Sequence, residues 1–353
     1  MEFACYTEWE QLPDSADALF AEAEKDSVFF SRPWLEELVS NTLEKGHSLA
    51  LACVVERDRV LALLPLINRD NRGNFQSLVH LYTSLYSVLL AEDGQADVLK
   101  CLVLGLNRLP VYSLRLDPAA ENDRKLSGLQ QALESAGFVC HRHFRFYNWI
   151  HRLHGQSFED YMAARPSRVR NTIARKQRKL EREHGFTIRL FTDENLRKGL
   201  EDYQAVYKQS WKANELYESL IEDLVHSFSS RGWLRIAILY IEKTPVAAQF
   251  WFVAHGKASI FKLVHDDAWK QYSPGSILTH YLMEHVIDTD KVKEIDFLTG
   301  NDAYKQDWMS ERRQRWQHYY AKPRPAIGRV ARTASFLKAW VQRTRQTGGT
   351  EYR

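Results

Sequence analysis

Apolar positions along the chain switch between two periods, and each switch marks an element. Residues 16–25 and 34–39 carry apolar side chains at helical spacing, so two helices are expected to open the fold. Residues 49–56 and 60–67 are apolar runs parted by Arg57-Asp58-Arg59, the pattern of a hairpin. Strands at 75–81 and 111–116 follow, with a helix at 97–106 between them. A helix at 126–136 closed by Gly137 then leads into an aromatic-rich strand at 138–150.

After residue 151 the order of elements restarts. Helices are expected at 157–164, 167–184, 196–211 and 217–229, then a hairpin of 234–241 and 246–254, a strand at 258–265, a helix at 274–287 and a strand at 294–298. The two hairpins share a pattern, because Glu56-Arg57-x-x-Val60-x-Ala62 recurs as Glu242-Lys243-x-x-Val246-x-Ala248. An internal duplication of one α/β unit accounts for this. The expected division is 1–150, 151–323 and a basic amphipathic tail, 324–353.

Composition narrows the picture. The 353 residues suit two domains at roughly 150 each, and 44% apolar residues exclude a mainly disordered chain. Lys and Arg total 48 against 45 acidic residues, so any attraction to a polyanion must be local. No run of about 18 uncharged apolar residues occurs, and the N-terminus is acidic where a secretory leader would be basic and then apolar. The expected location is the cytoplasm. Cys5, Cys53, Cys101 and Cys140 lie far apart, as reduced thiols do. His141 and His143 share one strand face without a third ligand, so no metal site is expected.

Chemistry concentrates between residues 258 and 305. Ser273 is placed as a helix N-cap and Pro274 as the first helical residue, where its missing N–H costs nothing. The amides of Gly275, Ser276 and Ile277 would then point out of the helix end, a place that attracts phosphate. Asp296 is a lone carboxylate alternating with apolar neighbours, either an anchor or part of a site. Tyr304 can give a proton to a leaving thiolate or alkoxide, and Lys305 can neutralise an anion or oxyanion.

Pro245-Val246-Ala247-Ala248, Tyr272-Ser273-Pro274-Gly275-Ser276, Asp296-Phe297-x-x-Gly300 and Tyr304-Lys305, in that order, resemble the acetyltransferase-like family of CelD-type proteins. That family is similar to the Fem-type aminoacyltransferases, which carry two GNAT folds in tandem. The resemblance implies an α/β (α+β) fold of two tandem GNAT-like domains with mixed sheets flanked by helices. It also implies acyl transfer to an amine or hydroxyl, possible in cell-envelope or exopolysaccharide assembly. Acyl-CoA or an acyl-carrier thioester would be the co-substrate, with no permanently bound cofactor. By position, Ser273 to Ser276 match the donor-binding turn, and Asp296, Gly300, Tyr304 and Lys305 match the C-terminal signature. The chain departs from the usual GNAT pyrophosphate loop, because Gly275 stands without further spaced glycines.

Between Arg165 and Arg182 the expected helix carries Arg168, Arg170, Arg175, Lys176, Arg178, Lys179 and Arg182 around a narrow stripe of Val169, Ile173 and Leu180. Such a surface can hold an acyl carrier protein, tRNA or the phosphates of a lipid-linked acceptor. Arg168 and Arg175 are therefore expected to bind substrate, together with Tyr272, His265 and Gly300. His265, His280 and Glu284 flank the donor turn as candidates for a general base. The tail mixes Arg324, Arg329, Arg332, Lys338, Arg343 and Arg345 with Phe336, Leu337 and Trp340, which suits either peripheral contact with the inner membrane face or a helix packed on the domain. Two rival readings stand beside acyl transfer from a thioester: an aminoacyl-tRNA-dependent Fem-type transferase, and a non-catalytic duplicated binding domain.

Overall fold

The computed structural model describes residues 1–323 apart from 71, 93, 193, 194, 211, 213, 214 and 216. The expected basic tail lies outside the described residues. The first half runs β1 (Glu2–Tyr6), α1 (Ala16–Ala23), α2 (Arg32–Thr42), β2 (Ser48–Glu56), β3 (Arg59–Asn68), β4 (Asn74–Ser77), β5 (Leu89–Leu90), α3 (Gln95–Arg108), β6 (Ser113–Ala120), α4 (Arg124–Ser135) and β7 (Val139–Arg152). Two linking helices follow, α5 (Phe158–Ala163) and α6 (Ser167–Glu183). The second half runs β8 (Thr187–Phe191), α7 (Leu196–Lys208), α8 (Glu218–Ser229), β9 (Leu234–Ile241), β10 (Thr244–Ala254), β11 (Lys257–His265), α9 (Pro274–Glu284), β12 (Glu294–Thr299), α10 (Lys305–Trp308) and β13 (Glu311–Ala321).

All strands join one mixed sheet, ordered β1-β2-β3-β4-β6-β13-β7-β12-β11-β10-β9-β8, with β5 beside β3. The order reads the same from either end. Each half has an antiparallel run ending in one parallel pair, β4 with β6 and β11 with β12. The repeated hairpins are β2–β3 and β9–β10, and both carry a register shift close to the turn. The duplication read from the hairpins thus extends to the whole sheet.

The halves exchange their last strands. β7 leaves the first half to pair with β12, while β13 returns from the second half to pair with β6. β7 and β13 then pair with each other from Glu311↔Ile150 to Ala321↔Val139. The expected boundary between residues 150 and 151 falls inside β7.

Three expectations are corrected. The fold opens on strand β1, not on a helix, and β1 pairs along the edge of β2. β8 and β13 were not expected as strands. The central strand β13 reads as polar because it buries Arg315, Gln317 and His318; Arg315 finds Ser84 and Asn148 outside its own strand, and His318 meets Tyr320 two residues on. The helix expected at 196–211 ends at Lys208, and Trp211 lies outside the described residues.

Packing joins the halves further. One core cluster fills the first half and continues beneath α7 and α8, with Trp34 edge-on to Phe252 and Phe261 at 6.0 Å. A second cluster lies on the opposite face of β9–β12 beneath α5, α6 and α9. α6 buries its expected stripe of Val169, Ile173 and Leu180 there and turns its arginines outward. Ser31 caps α2, Asp123 caps α4, and a Ser157–Asp160 capping box opens α5.

Candidate active site

β11 and β12 part just after they meet. They pair at Lys257↔Glu294, Ala258↔Ile295 and Ser259↔Asp296, and the rest of β11 continues without β12. At the parting point β12 also slips its register against β7, between Asp296 and Thr299. Leu298 there adopts φ 50°, a left-handed backbone that costs a branched side chain roughly 1–2 kcal/mol. Asp296 holds the distortion: Oδ1 accepts from the Leu298 amide and from Asn148 Nδ2, both at 2.6 Å, and Oδ2 accepts from Arg313 Nη2 at 2.8 Å. Asp296 is thus an anchor, and it lies where the strands open.

The C-terminal signature gathers beside it. Lys305 is buried, and its ammonium donates to the carbonyls of Phe297 at 3.0 Å and Thr299 at 2.6 Å and lies 3.4 Å from Asp302. Burial lowers its pKa. Three donors facing three oxygens make Lys305 a pin for the β12–α10 turn. Gly300, at φ 116°, passes so close that a Cβ would lie 3.0 Å from Asp302 Oδ2 and 3.2 Å from Lys305 Nζ. Tyr304 is 48% exposed, with its ring 6.1 Å from that of Phe297.

At the α9 corner the expected cradle is mostly closed. Ser273 sits at the N-cap position with φ 54° and makes no side-chain cap. Its carbonyl accepts the Ser276 amide at 3.0 Å and the Ile277 amide at 3.2 Å, so two of the three amides expected to point outward are engaged within the helix. Gly275 is buried, and its carbonyl accepts from Gln249 Nε2 at 2.8 Å. A Cβ there would meet His265 Nδ1 at 3.7 Å, an ordinary contact that does not demand glycine.

Helix α6 spans the two corners. Arg168 pairs with Asp307 of α10 at one end. At the other, Lys176 donates to the Gln271 carbonyl, and Tyr272 is buried with its hydroxyl donating to Glu183 at 2.9 Å. Arg168 and Tyr272 are thus clamps in this structure, whereas Arg175 faces solvent. His280 packs edge-on to Phe158 at 4.9 Å.

A polar cluster beside the opened stretch of β11 escaped sequence reasoning. Lys262 Nζ and Glu215 Oε2 are 2.7 Å apart with side chains only 6% and 5% exposed. The Tyr82 hydroxyl donates to the other Glu215 oxygen, and its ring lies 3.5 Å from the Lys262 ammonium. His80 stacks edge-on to Tyr217 at 4.1 Å and to Tyr82 at 5.0 Å. Burial lowers the Lys262 pKa to about 8 and that of His80 to about 4. Lys212 reaches the Leu263 carbonyl of β11 at 2.7 Å. Glu215 also lines an open pocket, about 280 Å³ with its solvent mouth included, together with Tyr203, Tyr207 and Glu218. One signal was available, Lys262 between the apolar residues Phe261 and Leu263 in the interior of β11.

Residues 167–306 match the family described as "Acetyltransferase (GNAT) domain". A GNAT-like domain thus covers α6 to the start of α10, including the parted strands, and the whole chain has a mixed α/β GNAT-like fold. FemX aligns at TM-score 0.60 with 11% identity, over 90% of this chain and 97% of its own. A tandem GNAT protein from the clavulanic acid biosynthesis pathway aligns at 0.52 with 11% identity, over 92% and 99%. L-PGS from Bacillus licheniformis aligns at 0.51 with 12% identity, over 84% and 93%. At such identities these likenesses show the fold alone. None of these matches carries the CelD-type part of the resemblance. Among curated proteins, none matches the sequence. Among the described residues, no helix is long and apolar enough to cross a membrane.

Proposed function

We propose that this protein moves an acyl group from a thioester donor, an acyl-CoA or an acyl-carrier thioester, to an amine or hydroxyl acceptor. The observation that carries this reading is the parting of β11 from β12 inside the GNAT-like domain. A strand freed of its neighbour offers backbone N–H groups to a reacting carbonyl, and such fixed donors act without reorganisation. The acceptor attacks that carbonyl directly, with no covalent enzyme intermediate. Glu215 takes the acceptor's proton, and Lys262 and Tyr82 hold the carboxylate in place. Tyr304 protonates the departing thiolate. Asp296 and Lys305 act as positioning residues for the opened strand end and its turn, which revises the oxyanion role first expected of Lys305.

A second reading, an aminoacyl-tRNA donor as in Fem-type enzymes, is favoured by the engaged amides at α9 and by the solvent-facing arginines of α6. We place either reaction in the cytoplasm, with an acceptor that is a small molecule or a lipid-linked precursor of the cell envelope or exopolysaccharide. Purified protein offered acetyl-CoA, an acetylated carrier protein and aminoacyl-tRNA in turn tests both readings. Use of a thioester supports the first. Ribonuclease-sensitive transfer supports the second. Turnover of none of the three leaves the non-catalytic binding domain standing.

A further inference from the structure

The cleft between the halves opens at the other end of β11 and β12, where those strands are still paired. It spans about 490 Å³, its solvent mouth included, between Asp26–Phe29 and Ser84 of the first half and Lys257, Ser259, Glu294, Asp296, Arg313 and Arg315 of the second. Its charges are unequally satisfied. Each acidic side chain of the lining has a cation: Glu24 has Arg231, Asp26 has Lys125, and Glu294 and Asp296 share Arg313. Arg315 and Lys257 form no ion pair with a carboxylate among the described residues. Arg315 is 2% exposed and donates only to neutral oxygens, the Ser84 carbonyl at 3.1 Å, Asn148 Oδ1 at 2.9 Å and the Gln314 carbonyl at 3.4 Å. Lys257 donates to the Asp26 carbonyl across the cleft.

A buried guanidinium without a counter-charge is costly, since hydrogen bonds to neutral groups offset only part of its lost hydration. Burial and the neighbouring Arg313 lower its pKa to about 10, only partly offset by the nearby carboxylates of Asp296 and Glu294, which are already paired with Arg313, and the group is still charged at neutral pH. The missing charge is what a ligand would bring. We infer that this cleft binds an oxyanion, a carboxylate or phosphate group of a small molecule, held between Arg315 and Lys257 with the Ser27, Ser84 and Ser259 side chains at its edge. The site adjoins the acyl-transfer centre at Asp296, and the inference stands whether or not that reading holds. It touches that centre through one shared brace, because Arg313 and Asn148 join Arg315 to Asp296.

The test is calorimetric titration of the full chain with potassium phosphate, pyrophosphate and citrate, each against potassium chloride at equal ionic strength. Saturable binding of at least one oxyanion is expected, weakened about tenfold or more by Lys257→Gln and further by Arg315→Gln. Phosphate and citrate arms separate the two chemistries. Lys257 is partly exposed, so its variant remains informative should Arg315→Gln fail to fold. No saturable heat with any of the three anions overturns the inference, as does binding of unchanged strength in Lys257→Gln.

Discussion

The first half repeats the opened strands of the second and then seals them. β4 and β6 run parallel from Asn74↔Ser113 to Gln76↔Arg115 and part, as β11 and β12 do. In the first half the chain folds back into the gap. Ser77 Oγ donates to the Asp117 carbonyl at 2.7 Å, the Tyr86 amide to the Pro118 carbonyl at 2.7 Å, and the buried Tyr86 hydroxyl to the Pro65 carbonyl at 2.8 Å. In the second half the corresponding segment, Asp267–Tyr272, runs outward to meet α6, and the flank of the gap carries Lys262, Glu215 and Lys212 instead. One copy has become a scaffold and the other has kept an opening. The scaffold still contributes to it, because His80 and Tyr82 come from the first half.

The sharpest contrast between the copies is a pair of substitutions. Glu215→Gln should lower turnover by about 100-fold or more, the scale of a lost general base, while donor binding persists. Tyr86→Phe, in the sealed gap, should leave turnover within about twofold and cost only about 1 kcal/mol of stability, one neutral hydrogen bond. Steady-state kinetics beside urea unfolding would show it, and equal losses in both variants would erase the distinction.

Next in size is the brace. Asp296→Ala leaves Arg313 and Asn148 without their central acceptor and frees Leu298 to abandon φ 50°. A loss of about 3 kcal/mol is expected, with a tenfold or greater fall in turnover. Activity that survives in the folded variant would show that the bulge in β12 serves stability only.

Tyr304→Phe should reduce turnover by more than about tenfold with the thermal midpoint unchanged, since the side chain is half-exposed. Lys305→Ala should reduce turnover comparably but also lower the midpoint, because the Phe297 and Thr299 carbonyls lose their donor. A Lys305 variant of full stability and low turnover would restore to it a direct role on the anion.

The smallest effect concerns pH. Burial lowers His80, His151 and His318 to about 4, against an ordinary histidine near 6.5. The unfolded chain takes up these protons near 6.5 and the folded chain does not, so stability is full above pH 6.5 and declines as pH falls toward 4. Urea midpoints between pH 7 and 4.5 should fall accordingly, and His318→Asn should flatten the decline. A flat profile in the parent protein would contradict the burial of these rings.

Much of the second half was legible because its strands and helices obey simple periods, and β9 and β10, covered on both faces, read as continuous apolar runs. β13 was not, since its Arg313 and Arg315 meet Asn148 and Asp296 only after the halves exchange strands. Asp296 stood out as a charge among apolar neighbours, and Lys262 sends the same signal. Glu215 and Tyr82 send none. They lie 133 residues apart and become a site only when the loop after β4 is laid against the loop between α7 and α8.

The donor's acyl group is expected to enter the gap beside β11 and not its sealed counterpart. Amide hydrogen exchange of the full chain, with and without whichever of acetyl-CoA, acetylated carrier protein or aminoacyl-tRNA is consumed, tests it directly. Slowed exchange across residues 260–265, with 74–77 and 84–90 unchanged, is the predicted result. Slowing confined to the first half, or none at 260–265 with a donor that is turned over, would contradict it.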